Sequence, residues 1–258
     1  MLTNSNYYQD KSYFSCSQLK SFMDCEARTM AEIKGEWENK PTTAMLVGSF
    51  VDSYFEGKEA FEQFVSEHPE IFKKDGTPKA DYVKALDIIN RIEQDELFTE
   101  YMSGDKQVIL TGEIDGYPFK GKMDSYHPGR MIVDLKCMRS LDRIMGRSLV
   151  EHWDYNLQGA IYRALEGNNL PFYLAIATKE DPVDLEIVEL DPMDMDESLN
   201  NARKLLPRFD AIKKGEIQPE RCGKCAYCRA TKKLTKPIPA DELGLSNKDL
   251  KILKGEYQ

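Results

Sequence analysis

The sequence predicts an α/β fold, a central mixed sheet flanked by helices, and three observations carry that expectation. Residues 107–137 read as strands broken by turn residues, with residues 131–137 alternating at period two. On both sides of that stretch apolar residues recur at three-and-four spacing, the signature of helices with one buried face. The resulting order is helices, three strands, helix, two strands, helix, which suits one sheet covered by helical layers. With 258 residues, 41% of them hydrophobic and 31% charged, the chain has the size and composition to bury a substantial core.

The elements follow in order. Ser15 or Ser17 can cap a first helix reaching about Lys34, with Leu19, Phe22, Met23 and Met30 on its apolar side and Gly35 ending it. After Pro41 a second helix carries Met45, Gly48, Val51, Asp52 and Phe55 at helical spacing, which puts an acid on or near its inner face. Gly48, one turn before Asp52, is expected to leave room for close packing. Residues 59–78 read as a short helix and a loop, and residues 80–102 as one long helix with Val83, Leu86, Ile89 and Ile92 as its stripe. Strand residues 107–114 lead into a hairpin. Beyond it come a helix at 155–165, strands at 172–178 and 185–190, and a long helix at 195–214 ended by Gly215. Residues 1–236 are expected to form a single domain and residues 237–258 a polar tail.

The hairpin, Pro118 to Cys137, holds the chemistry. His127-Pro128-Gly129-Arg130 supplies the turn, and Met131, Val133, Leu135 and Cys137 alternate with Ile132, Asp134 and Lys136. In a hairpin symmetric about Gly129, Asp124 faces Asp134. Cβ atoms so opposed lie roughly 4.5–5.5 Å apart, where like charges repel. Two acids kept there call for a cation, and Lys136 projects from the same face. A hard ion such as Mg²⁺ takes carboxylate oxygens and keeps several waters, which suits attack on a phosphodiester. The rival reading is a solvated hairpin with acids on its wet face. A D-x-K tripeptide alone would fit that reading; the opposed pair is what argues for a site. Glu113, in the preceding strand, is a weaker candidate for the same acidic pocket, and a salt bridge is the simpler reading.

Six cysteines in a chain of this type do not suggest a disulfide framework. Cys222, Cys225 and Cys228 fall in one seven-residue window, a density that suggests a metal, and Cys25 is the obvious fourth ligand. Cys137 falls on the apolar face of its strand, and Cys16 has no assigned role. The three histidines show no triad or metal spacing. There is no nucleophile elbow, phosphate loop or ATPase motif. The net charge of −9 argues against coating nucleic acid by bulk charge, although residues 136–147 and 221–236 are locally basic. No apolar run approaches the ~18 residues of a membrane helix, and the start MLTNSNYYQD lacks the pattern of a signal peptide. A cytoplasmic protein is expected.

Asp124, ten residues on Asp134-Leu135-Lys136, all in a strand–turn–strand, resembles the PD-(D/E)XK nuclease superfamily with its restriction-endonuclease-like core. Gln158-Gly-Ala-Ile-Tyr162 on the next helix is similar to the Q-x-x-x-Y element of the RecB-type branch, in which the glutamine and tyrosine help hold DNA. The resemblance covers about residues 12–235 and is strongest to phage RecE-like exonucleases. It implies Mg²⁺ (or Mn²⁺) bound by Asp124, Asp134 and the carbonyl of Leu135, with Lys136 serving the water and Gln158 and Tyr162 the DNA strand. In RecB- and RecE-type enzymes an early helix carries a metal-site histidine after a glycine. Here Asp52 stands at that place after Gly48, and an aspartate can take the same ion. The cysteines resemble the cluster of AddB and CRISPR-adaptation nucleases, which implies a [4Fe–4S] cluster on Cys25, Cys222, Cys225 and Cys228. The short gap before Cys228 departs from that pattern and keeps zinc in a Cys₄ site open. The activity implied is hydrolysis at DNA ends in recombination or repair, with DNA and a single-strand annealing protein as candidate partners and no membrane. An endonuclease or single-strand nuclease of the same superfamily, and a cysteine-cluster nucleic-acid-binding module that no longer cuts, are the alternatives.

Overall fold

The computed structural model describes residues 2–253. The chain forms two compact units, one of Pro41–Asn201 with the N-terminal residues to Tyr13, the other of Phe14–Lys40 with the chain from Ala202 onward. In chain order the helices before the sheet are α1 (Cys16–Asp24), α2 (Glu26–Ile33), α3 (Thr43–Glu56), α4 (Lys58–Glu67), α5 (Ala80–Glu93) and α6 (Glu96–Tyr101). The strands β1 (Asp105–Ile114), β2 (Tyr117–His127) and β3 (Met131–Met138) follow. Next come α7 (Leu149–His152), α8 (Tyr155–Glu166), β4 (Phe172–Thr178), β5 (Leu185–Glu189), α9 (Pro192–Arg203), α10 (Leu206–Lys213), α11 (Ala226–Ala230) and α12 (Asn247–Leu253). No helix among the described residues is long and apolar enough to cross a membrane.

The first unit is built on one five-stranded sheet in the order β1-β2-β3-β4-β5. Neighbouring strands are antiparallel except β3 and β4, which run parallel and are joined through α7 and α8. The mixed sheet flanked by helices is the α/β architecture expected. Asp115 and Gly116 join β1 to β2 with φ of 52° and 79°, the positive values a two-residue turn needs to match strand twist. The second hairpin has the expected symmetry about Gly129, with Ser125 opposite Val133, Tyr126 opposite Ile132 and His127 opposite Met131.

Two cores bracket the sheet. On one face Met131, Val133, Leu135, Ala175 and Ala177 pack with Val47, Phe50 and Val51 of α3 and Ala85, Ile88 and Ile89 of α5. On the other face α8 lies close, because glycines stand where side chains would collide. A Cβ on Gly121 would come within 2.9 Å of the Tyr162 ring, and one on Gly159 within 2.6 Å of Met195 Sδ.

The helices differ from expectation in phase and length. Val83 and Leu86 are 45% and 36% exposed, and α5 instead buries Tyr82, Ala85, Ile88, Ile89 and Ile92. The two candidate stripes share Ile89 and Ile92, and the packing partner selects between them. Residues 80–102 break at Gln94, where Asp95 accepts the Phe98 N–H and caps a new helix. The last long helix likewise divides, with Pro207 in the first turn of α10. Gly48 has open space where a Cβ would project, so close packing is not its role.

In the second unit the first helix is two. Ser15 caps α1, and Cys25 then leaves helical geometry at φ −164°, ψ 102° before α2 begins. Phe22 stacks on Phe209 at 4.9 Å, and Arg208 makes a two-pronged pair with Glu26 at 2.6 and 2.8 Å. The expected polar tail carries α12, and its residues 254–258 lie outside the described residues.

Candidate active site

Asp124 lies where the sheet's backbone ladder is interrupted on both sides. Toward β3, regular pairing ends at Ser125 and Val133, one step short of the two acids. Toward β1, Lys106 pairs with Ser125 and Val108 with Met123, while Gln107 between them takes a left-handed φ of 52°. The Asp124 carboxylate fills both gaps. Its Oδ2 accepts the Leu135 N–H at 3.0 Å, and its Oδ1 lies 3.4 Å from Gln107 Nε2. Toward β3 the side chain therefore takes the place of a missing backbone acceptor, and toward β1 it meets the Gln107 side-chain amide.

Asp134 is held differently. Its side chain is 2% exposed, and Gln158 Nε2 on α8 donates to Oδ1 at 2.6 Å. The Lys136 ammonium forms an ion pair with Oδ2, a buried oxygen that accepts no hydrogen bond of regular geometry. Lys136 also stands 5.3 Å above the Tyr155 ring. Burial alone would lower its pKa, but Asp134 and Asp124 more than offset that and hold it above the usual lysine value. It is a fixed cation.

Asp52 on α3 joins these groups through charge. Burial and then the Asp134 carboxylate push its pKa up to about 6, against the opposing influence of Lys136 and Lys122. Asp124 is likewise raised well above the carboxylate range by burial, Asp134 and Asp52. Two acids that disfavour their own ionisation, beside a third whose buried Oδ2 has only the Lys136 ammonium as partner, form a donor set with the chemistry of a hard divalent cation site. The residues present fit that ion.

Asp52, Asp124, Asp134, Lys136 and the Gln–Tyr pair singled out in the sequence come together here, whereas Glu113 lies exposed opposite Pro118 at the far end of the hairpin. Tyr162, 7% exposed, donates its hydroxyl to the Lys122 carbonyl at 2.8 Å and receives Gln158 Nε2 at 3.3 Å. Gln158 and Tyr162 thus brace Asp134 and the backbone of β2. The sequence reading missed Gln107, Lys106, Lys122 and Tyr155. Lys122 was legible, since it stands two residues before Asp124 on the same period-two face. Gln107 had no signal, because nothing in its type marks a left-handed backbone.

In the second unit the break at Cys25 places its thiol against the C-terminal window. Cys25 Sγ lies 3.6 Å from Cys228 Sγ, Cys222 Sγ 3.9 Å from Cys228 Sγ, and all four sulfurs lie within 4.8 Å of one another. The expected four-cysteine set is assembled. Burial works to raise the Cys222 thiol, but N–H donors from Cys225 and Lys224 bring it down to about 7. Burial pushes Cys225 up to about 12. Cys137 packs beside the sheet core.

These arrangements have counterparts in known proteins. A crystal structure described as "Putative exonuclease" from Eubacterium rectale superposes with a TM-score of 0.90 at 42% identity, covering 95% of this chain and 98% of that one. The crystal structure of SSO0001 stands at a TM-score of 0.32 and 17% identity over 89% of this chain and 100% of the other, and does not bear on the fold. No functionally curated protein matches the sequence. The D…D-x-K hairpin, the braced Gln–Tyr helix and the mixed sheet beneath them all lie within residues 15–231, which match the model of the PDDEXK-like domain of unknown function DUF3799, and the chain belongs to that family.

Proposed function

We propose that this chain is a divalent-metal-dependent deoxyribonuclease that hydrolyses phosphodiester bonds at DNA ends, in phage-type recombination or repair. One observation carries the reading. Asp124 and Asp134 are held side by side by an interrupted ladder, with a cationic Lys136 on the second acid and Asp52 in the same field. A purely structural hairpin would gain by replacing one acid, because paired like charges destabilise it. Membership of a PDDEXK-like family and 42% identity to a protein described as an exonuclease support the same reading and its preference for ends.

Asp124, Asp134 and the Leu135 carbonyl would hold Mg²⁺ or Mn²⁺, with Asp52 completing the acidic wall. Bound there, the ion would supply Lewis acidity and lower the pKa of a water. The remaining work belongs to the chain. Lys136, kept protonated, donates a hydrogen bond to the attacking water or to a non-bridging phosphoryl oxygen, offsetting charge as the pentacovalent state forms. Gln158 fixes the rotation of the Asp134 carboxylate, and Tyr162 holds β2 at Lys122. Lys122 and Lys106 bring positive charge beside the acids, suited to the flanking phosphates of a strand. The open space at Gly48, one turn from Asp52, leaves room for that strand. The cytoplasm, where the six free cysteines stay reduced, is the matching compartment.

The test is cleavage of end-labelled linear duplex with and without Mg²⁺, using the wild-type chain, Asp134→Ala and Lys136→Ala. Both variants should keep their circular dichroism and lose cleavage; full activity in both would sink the assignment. Closed circular DNA separates ends from interior sites, since cutting of circles would mark an endonuclease. Tight binding with no turnover in Mg²⁺ or Mn²⁺ would mark a binding module.

A further inference from the structure

The four thiols form a centre whose chemistry is independent of the nuclease reading, and their separations discriminate between its two candidate occupants. A tetrahedral zinc ion with Zn–S bonds of about 2.3 Å sets its four sulfurs about 3.8 Å apart. A [4Fe–4S] core interposes an iron at each corner and carries its thiolates outward, so the cysteine sulfurs stand roughly 6 Å apart. In this chain Cys25 and Cys228 are 3.6 Å apart, Cys222 and Cys228 3.9 Å, and no edge of the set exceeds 4.8 Å. A disulfide is not the explanation, because its sulfurs would stand at about 2.05 Å. We infer that Cys25, Cys222, Cys225 and Cys228 hold one tetrahedral zinc ion as a structural clasp of the second unit, and that an iron–sulfur cluster does not fit them.

The surrounding hydrogen bonds fix the small size of the set. The Cys222 N–H points to Cys25 Sγ at 3.5 Å, the Cys225 N–H to Cys222 Sγ at 3.3 Å and the Cys228 N–H to Cys225 Sγ at 3.4 Å. Three of the four sulfurs are thus tied to the backbone of the next ligand and receive a donor that partly offsets thiolate charge. Opening the set to cluster size would break this chain of bonds. Cys225 is the N-cap of α11 and Cys228 lies in that helix, so their spacing is also fixed by the turn.

The fold explains why an ion is needed. The buried residues around the thiols are Cys25, Ala27 and Cys228, with Tyr227 partly buried against them. That is too little apolar area to order the loop from Glu220 to Cys228, and bound metal commonly supplies the missing folding energy in such cases. The departure of Cys25 from helical geometry makes sense on the same ground. It costs α1 and α2 their continuity and gains a ligand.

The experiment uses the full chain prepared without oxygen from iron-replete cells, so that a labile cluster would survive. Metal content, acid-labile sulfide and the visible spectrum are measured together. The expected result is a colourless protein with about one zinc per chain, no sulfide and no broad band near about 400 nm. Titration with p-hydroxymercuribenzoate should release that zinc as four thiols react, and Co²⁺ exchanged into the site should show the intense visible bands of a tetrahedral thiolate complex. Cys228→Ser should lose the zinc, whereas Cys16→Ser and Cys137→Ser should keep it. Iron and sulfide at about four each per chain with the brown absorbance would overturn the inference. So would wild-type protein with no stoichiometric metal, a result that does not depend on how any variant folds.

Discussion

The acid site and the thiol site gather like ligands by opposite means. Asp124 and Asp134 sit on strands whose neighbours Ile132, Val133 and Leu174 are fully buried, so the sheet holds them together whatever their charge, and Asp52 adds its charge from α3. The thiols sit at a helix break and in a loop whose own core is little more than the cysteines themselves. The first site is rigid scaffold carrying electrostatic strain, visible as two acids that resist ionisation. The second is bonded closely around one point and has little scaffold. A metal should therefore matter to chemistry in the first and to folding in the second.

The largest expected effect tests that division directly. Lys136→Ala and Asp134→Ala should each lower Mg²⁺-dependent cleavage about a thousandfold, because the group acts on charge that develops during reaction. Each also leaves one member of a buried ion pair without its partner, so both should lower the melting temperature as well, and cleavage is read well below the transition. Cys228→Ser should spare cleavage by the folded chain. It should lower the melting temperature by about 10 °C, the shift that roughly 3 kcal/mol produces in a chain of this size. A thermal scan beside a cleavage assay on all three variants checks both arms. If Cys228→Ser abolished cleavage with an unchanged melting curve, the contrast between the sites would be wrong.

A smaller effect probes how the acid site is held. Gln158 donates to Asp134 and touches the Tyr162 hydroxyl. Gln158→Ala should weaken the site by about 10–100-fold, the range typical of groups that orient a ligand. A Mg²⁺ titration of cleavage separates this role from strand contact, because an orienting residue raises the Mg²⁺ concentration needed. Gly121→Ala should give a similar but weaker defect, since its Cβ would meet the Tyr162 ring at 2.9 Å and push α8 outward.

How much of this was legible follows from how local each signal is. Period-two alternation and the Gly129 turn are short-range, and they placed β2, β3 and the register from Ser125–Val133 to the turn, one step short of the two acids. Asp95 and Pro207 were ordinary helix-start signals, overlooked because apolar spacing runs on across them. The break at Cys25 has no such signal. Helical periodicity continues through it, and the chain leaves the helix only because the other three thiols lie far along the sequence. The choice between Val83 and Tyr82 as the buried edge of α5 is also made by the partner surface. Gln107 is the extreme case: its left-handed backbone answers to Asp124, seventeen positions later in the chain.

The most delicate test concerns Asp52, where strain in the acid site should appear as pH dependence. Its pKa is raised from 3.8 to about 6 in the folded chain. The native state therefore holds more protons than the unfolded chain between those values, and stability falls as pH rises through that window. Above it the cost levels off, on the order of 3 kcal/mol. Asp52→Asn has no such titration. In buffer freed of divalent ions, the variant should match the wild-type chain near pH 4 and exceed it in stability by pH 7. Added Mg²⁺ should narrow the gap at pH 7 by stabilising the wild-type chain, and should do little at pH 4, where Asp52 and Asp124 are protonated. Denaturant melts at the two pH values, with and without Mg²⁺, give all four quantities. A gap that is the same at both pH values would mean that neither burial nor the Asp134 charge raises the Asp52 carboxyl, and would leave the acid site a two-carboxylate centre.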